Sequence, residues 1–264
     1  MISFRRLGAD SAAIIDWEFP VFLAPEISKV LAKNISIRKL SEKELEISER
    51  FSPKELRFYS RPICWTVHAL EKLGLPEKLQ SLNRERVGVY VAGRELVYPW
   101  KAFGAKIVDK DSLAKAVRFN CSPRHTLIHS VGLAPAHLSI IYQIHGPTNA
   151  FVFSRNGGLH SLRKARMDLQ LGLVDACVVV VSNLFEDPVH LLSDISYLET
   201  ERGVDFSKDF SLCEGVWVAL LGREDLALLS HLEKAADCSP IPNDHFFGYL
   251  DGIRERKELW EHSS

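Results

Sequence analysis

The stretch Asn149-Ala-Phe-Val-Phe-Ser-Arg-Asn-Gly-Gly-Leu-His-Ser-Leu-Arg-Lys-Ala165, continuing to Gly172-Leu-Val-Asp175 and the apolar run Ala176 to Val181, decides how the chain folds. Ala150 to Phe153 is a short apolar run suited to a strand, and Ser154 to Gly158, small and polar, reads as a sharp turn. From about Gly158 to Leu171 the residues Leu159, Leu162, Ala165 and Leu169 fall close to one face at helical period. Arg163, Lys164 and Arg166 occupy the other face. Ala176-Cys-Val-Val-Val-Val181 shows no alternation, the pattern of a strand covered on both faces. Strand, turn, helix and doubly covered strand in this order predict a layered α/β protein.

The pattern continues outward in both directions. Ser52-Pro-Lys-Glu-Leu, an N-cap followed by proline and an acid, predicts a helix running to about Leu73 and stopping at Gly74, with a kink or break at Pro62. Arg86-Val-Gly-Val-Tyr-Val-Ala-Gly93 reads as a buried strand. A helix is expected around Ala136 to Tyr142, ending near His145-Gly-Pro147, and a further strand over Glu214 to Leu221 before a short helix at Arg223-Glu-Asp-Leu. Residues 1–50 give weak signals, Glu186 to Lys208 is polar and irregular, and the tail over 236–264 is helix-poor until Tyr249 to Glu261.

With 264 residues the chain is long enough for one large domain, and residues 1–264 are read as a single unit. Its composition is 46% hydrophobic and 25% charged with a formal net charge of −1, so no basic excess exists to neutralise nucleic-acid phosphates. The apolar stretch Ala12 to Ile15 is short and is followed by Asp16, unlike a secretory signal. Ala176 to Val181 is far below the ~20 residues of a membrane span. A soluble, cytoplasmic protein is expected. Cys64, Cys121, Cys177, Cys213 and Cys238 are dispersed with no C-x-x-C pair, which suggests reduced, mostly buried thiols. His125 and His129 lie four apart, but no Glu follows the first as in the zinc-binding H-E-x-x-H helix, and no metal or cofactor is expected. Gly157-Gly158 forms no phosphate-binding motif.

The opening stretch resembles the nucleophile elbow of the β-ketoacyl synthases without its nucleophile. In those enzymes a strand runs into a Thr-Ala-Cys-Ala-Ser-Gly turn, and Gly158, Ala165, Gly172 and Asp175 keep the spacing of the helix that follows, while Arg155 occupies the cysteine position. Phe51-Ser-Pro-Lys-Glu-Leu-Arg, Ala69-Leu-Glu-Lys-Leu-Gly74, Arg86-Val-Gly-Val-Tyr-Val, Ile144-His-Gly-Pro-Thr and Leu212-Cys-Glu-Gly-Val resemble further ketosynthase segments in the same order. The resemblance spans about Phe51 to Leu229. It implies the amino-terminal half of the thiolase-like layered fold, with a mixed sheet. The second half of that family contributes two catalytic histidines and a lysine, and Asn243-Asp-His245 lacks the Gly-Thr context of such a segment. A half fold is expected to leave apolar helix and sheet surface that must be remodelled or covered.

Condensation of acyl chains needs a thiolate, and Arg155 cannot supply one. Its guanidinium stays protonated and opposes the helix dipole by ~0.3–1 kcal/mol, so an ion pair, an anion contact or exposure to solvent is expected to compensate it. A ketosynthase-like chain without its nucleophile resembles the chain-length factors, inactive partners of a catalytic ketosynthase in polyketide, polyene and related fatty-acid systems. The resemblance then implies a heterodimer with a ketosynthase through Thr148, Ala150, Val152, Phe153 and Ser154, acyl carrier protein as a further partner, and no catalysis by the chain alone. The alternatives are a small acyl-transfer or priming enzyme using Ser154 or a cysteine such as Cys121, and a scaffold without acyl chemistry.

Overall fold

The computed structural model describes residues 3–8, 12–13, 35–38, 40–41, 45, 51–93, 130–152, 157–184, 195, 199–200, 210–226 and 244–245. Its strands are β1 (Ser3–Gly8), β2 (Ala12–Ala13), β3 (Ile35–Arg38), β4 (Val87–Gly93), β5 (Thr148–Val152), β6 (Ala176–Asn183), β7 (Phe210–Cys213), β8 (Gly215–Gly222) and β9 (Asp244–His245). Its helices are α1 (Pro53–Leu56), α2 (Arg61–Lys72), α3 (Leu75–Lys78), α4 (Ala134–Tyr142) and α5 (Gly157–Gln170).

The main sheet is mixed, in the order β1-β8-β6-β4-β5. β5 and β6 both run parallel to β4, and β8 runs antiparallel to β6 and β1. A second sheet joins β2, β3, β7 and β9. Asp244 and His245 are ladder residues there, paired alongside Ser211 and Leu212.

Every residue of β4 and β6 is buried, as the uninterrupted apolar runs predict. Strand periodicity sends alternate residues into two cores. Val89, Val91, Val178, Val180, Val216 and Val218 face the side on which α2 lies over β8, β1 and β6 while α4 lies over β4 and β5. Tyr90, Ala92, Cys177, Val179, Val181, Trp217 and Ala219 face the other side, against Leu162, Ala165 and Leu169 of α5. These central strands are therefore covered on both faces, and the open sheet surface expected of a half fold is not found on them. Among the described residues the exposed large apolar side chains are on helices and turns instead: Phe58, Ile140, Met167, Leu171 and Leu173.

The long helix expected from Ser52 to Leu73 is two helices. Ser52 caps α1 through a reciprocal capping box with Glu55, but α1 ends after one turn. Pro62 sits in the first turn of α2, where no backbone donor is needed, so it starts a helix and does not kink one. α4 begins two residues before the expected Ala136, again with a proline, Pro135, in its first turn. The weak signals of residues 1–50 conceal β1, an edge strand of the main sheet.

Glu214, between β7 and β8, is fully buried and locks three distant segments together. Its carboxylate accepts two hydrogen bonds from the Arg61 guanidinium, at 3.0 and 2.9 Å, and one from the Leu40 backbone N–H at 2.9 Å. Arg61 donates in turn to the Leu40 carbonyl. A buried carboxylate that accepts three hydrogen bonds in this way positions the start of α2 against the sheet. Among the described residues no helix is long and apolar enough to cross a membrane.

Candidate functional site

The turn from β5 into α5 is where the sequence places the altered chemistry. Phe153, Ser154, Arg155 and Asn156 lie outside the described residues, as do Cys121, His125 and His129. The structure does describe the frame that holds the turn. β5 pairs with β4 over Val89 to Gly93, and α5 packs on β4, β6 and β5.

The spacing of Gly158, Ala165, Gly172 and Asp175 has a physical reading here. Gly158 and Ala165 are buried under the first and third turns of α5, and Ala165 is small enough to let the helix lie close on Cys177. Gly172 ends the helix at φ +68°, a left-handed conformation that favours glycine. Asp175, at the approach to β6, accepts from Arg86 Nε at 2.5 Å and Arg86 Nη2 at 3.0 Å, and its Oδ1 also lies 3.0 Å from Arg223 Nη2. The Arg86 hydrogen bonds hold the Asp175 carboxyl below its ordinary range. Arg86 also donates to the Gly172 carbonyl, so one side chain fastens the end of α5 to the start of β6.

Under α5 lies a polar cluster that sequence reading missed. Asp168 is 1% exposed. Its Oδ2 accepts the Tyr90 hydroxyl at 2.6 Å, and its Oδ1 pairs with Lys164 Nζ at 2.7 Å. The Lys164–Asp168 spacing of four residues was the available signal; the tyrosine, 78 residues away, left none. Lys164 is thus turned partly inward and is not simply the wet face of the helix. Burial, followed by the bond to Asp168, raises the Tyr90 phenol far above its usual range, and burial does the same to the Cys177 thiol. Cys64 and Cys177 form no disulfide and are buried, as the cysteine pattern predicts. Tyr90 and Cys177 are held in their protonated forms and are poor nucleophiles. They make a structural anchor for α5. Among the described residues no group of three or more His, Cys, Asp or Glu is placed to hold a metal ion.

β5 differs from the other strands around it. Within the main sheet it pairs with β4 only and forms the sheet's outer edge. Thr148 is exposed and Asn149, Ala150 and Phe151 are half-buried, in contrast to the wholly buried β4 and β6. The strand carries neither charge nor proline, two of the usual guards against pairing with another chain, and among the described residues it has no second strand neighbour. Gly146 fixes where that edge lies. A Cβ there would stand 2.2 Å from the Val87 carbonyl oxygen, so only glycine lets the His145–Pro147 turn pass the start of β4.

No family model matches the sequence, and no curated protein is similar enough to show common descent. Solved structures give a clearer comparison. A type II polyketide ketosynthase in complex with its acyl-carrier protein and bound to the hexaketide, AntDE:AntF, superposes with a TM-score of 0.57 at 16% identity, over 86% of this chain and 63% of that one. The fold is that of the ketosynthases. A β-ketoacyl synthase from Burkholderia phymatum gives a TM-score of 0.54 at 13% identity over 78% of this chain and 52% of its own. The ishigamide ketosynthase/chain length factor gives 0.52 at 15% identity over 84% and 62%. The chain spans 52–63% of the length of these three chains. At these identities the likeness fixes the thiolase-like α/β architecture, as the spacing around the elbow implied.

Proposed function

We propose that this chain is a non-catalytic subunit of ketosynthase fold, of chain-length-factor type, which pairs in the cytoplasm with a catalytic ketosynthase in polyketide, polyene or fatty-acid synthesis. The β5 edge carries this reading. It is uncharged, it has one neighbour in its sheet, and it leads directly into the turn whose nucleophile position is held by Arg155. Addition of a partner strand at such an edge supplies backbone hydrogen bonds, and side chains that alternate along the strand supply selectivity. The ishigamide neighbour, a ketosynthase with its chain length factor, supports the choice of partner, and the AntDE complex supports a carrier protein as a second one. On this reading residues 1–264 act as one domain, and Thr148, Ala150, Val152, Phe153 and Ser154 form the contact, burying well above ~1,600 Å² in total across the whole pair.

Co-expression with the ketosynthase of the same organism tests the reading. The tagged chain brings down the ketosynthase as a heterodimer, and Val152→Asp, which places a charge on the edge strand, abolishes recovery while circular dichroism of the isolated chain is unchanged. Native affinity in Val152→Asp, or a wild-type chain that stays monomeric beside its ketosynthase, overturns the assignment.

A further inference from the structure

A five-residue strand is short for the task assigned to it. At ~3.3 Å per residue β5 is about 17 Å long, and its edge supplies only a fraction of the ~800 Å² that each side of a stable pair contributes. The remaining contact area must come from elements beside β5. α4 lies directly over β4 and β5 at that edge, whereas α2 sits over β8, β1 and β6, further into the sheet.

The outer side of α4 is unusual for a surface helix. Ala134, Pro135, Leu138 and Tyr142 are buried inward, as an amphipathic helix requires. The opposite side presents Ala136 and Ile140, and Ile140 is the most exposed large apolar residue among those described, at 72%. A surface helix ordinarily carries charge outward, and one apolar on both sides is ordinarily buried. The absence of charge is not confined to the helix. No Asp, Glu, Lys or Arg occurs between Arg124 and Arg155, in a chain in which 25% of residues are charged. That interval contains α4, the His145–Pro147 turn and β5. Depletion of charge over a continuous patch marks the core of a protein interface. By contrast, the exposed Met167 lies on α5 and Leu171 just beyond it, and that helix also bears Arg163 and Arg166, the composition of a mixed, wet surface.

We propose that the partner's footprint runs from the β5 edge across the outer face of α4, with Ile140 as its apolar anchor and the catalytic ketosynthase as its occupant. This rests on the pairing proposed above. The partner lays a strand along β5 and a complementary apolar surface over Ala136 and Ile140, so the helix and strand are covered as one patch.

The experiment compares Ile140→Arg, Val152→Asp and Leu171→Arg in titrations against the co-expressed ketosynthase, together with hydrogen exchange of the wild-type chain alone and in complex. Ile140→Arg is expected to weaken binding at least tenfold with unchanged circular dichroism, Leu171→Arg to bind as wild type, and residues 134–142 to gain protection in the complex. Native binding by Ile140→Arg while Val152→Asp fails removes α4 from the footprint and leaves the edge-strand pairing standing. Native binding by both overturns both proposals. Should Ile140→Arg alter the fold, exchange in the wild-type complex decides: unchanged exchange over 134–142 overturns the α4 footprint. Self-association in place of ketosynthase binding overturns the choice of occupant.

Discussion

Tyr90 and Asp168 join the sheet to α5 through one short hydrogen bond in a site from which water is excluded. Removing the donor leaves the buried Asp168 Oδ2 without the Tyr90 hydroxyl while Lys164 still pairs with Oδ1, and a lost bond to a buried charged group costs about 1–3 kcal/mol. Tyr90→Phe should therefore lower the urea midpoint by an amount in that range without changing the m-value. Asp175 makes the opposite kind of contribution, at the surface. Its carboxyl is held below the ordinary value by Arg86, so its stabilising effect is fully present above the unfolded carboxylate pKa, about 4. The effect is lost as pH falls below that value through the lowered folded one. Asp175→Asn should be less stable than wild type at neutral pH, and the difference should shrink as pH drops below about 4, measured as urea midpoints across an acid series.

At the scale of elements, what the sequence revealed depended on how local the cause was. β4, β6 and β8 were legible because strands covered on both faces carry their signal in the run itself. β1 was not, since Ser3–Gly8 contains Arg5 and Arg6 and shows neither an apolar run nor clean alternation. The elbow helix was visible from its period, but Asp168 looked like one more polar residue because its sheet partner lies on a strand 78 residues earlier. Glu214 gave no better sign, with Arg61 153 residues away and Leu40 174 away. The motif glycine at 146 shows the same limit in reverse: its place in a Gly-Pro turn was plain, and the reason for it was not. That reason is the Val87 carbonyl oxygen 2.2 Å from where a Cβ would stand. Backbone cannot yield as a flexible side chain can, so Gly146→Ala should destabilise the chain by roughly 1–3 kcal/mol. It should also reduce ketosynthase recovery, because the displaced turn feeds β5. A variant with wild-type thermal midpoint and wild-type recovery would remove Gly146 from this role.

For the whole molecule the proposed function sets a ketosynthase-like fold against a changed nucleophile position. The central sheet has both faces covered, and α5 is fastened through Asp168 and, by way of Arg86 and Asp175, at its end. On the proposed function Arg155 takes the position of the thiolate, and Cys177 is buried and held protonated. The isolated chain should neither condense nor decarboxylate malonyl carrier protein, and Arg155→Cys alone should not confer that activity, since a nucleophile without acid, base and carbanion-stabilising groups completes no turnover. Stoichiometric acyl-enzyme on the native chain, seen by intact mass, would show instead that Ser154 or a cysteine has taken up the chemistry.

On the proposed pairing, the uncharged β5 edge also ties the protein's own yield to that of another gene product. A flat, neutral strand border left vacant is a template for indiscriminate polymerisation. A chain made in excess of its companion should therefore precipitate or be degraded, and balanced synthesis of the two becomes a condition for either to accumulate.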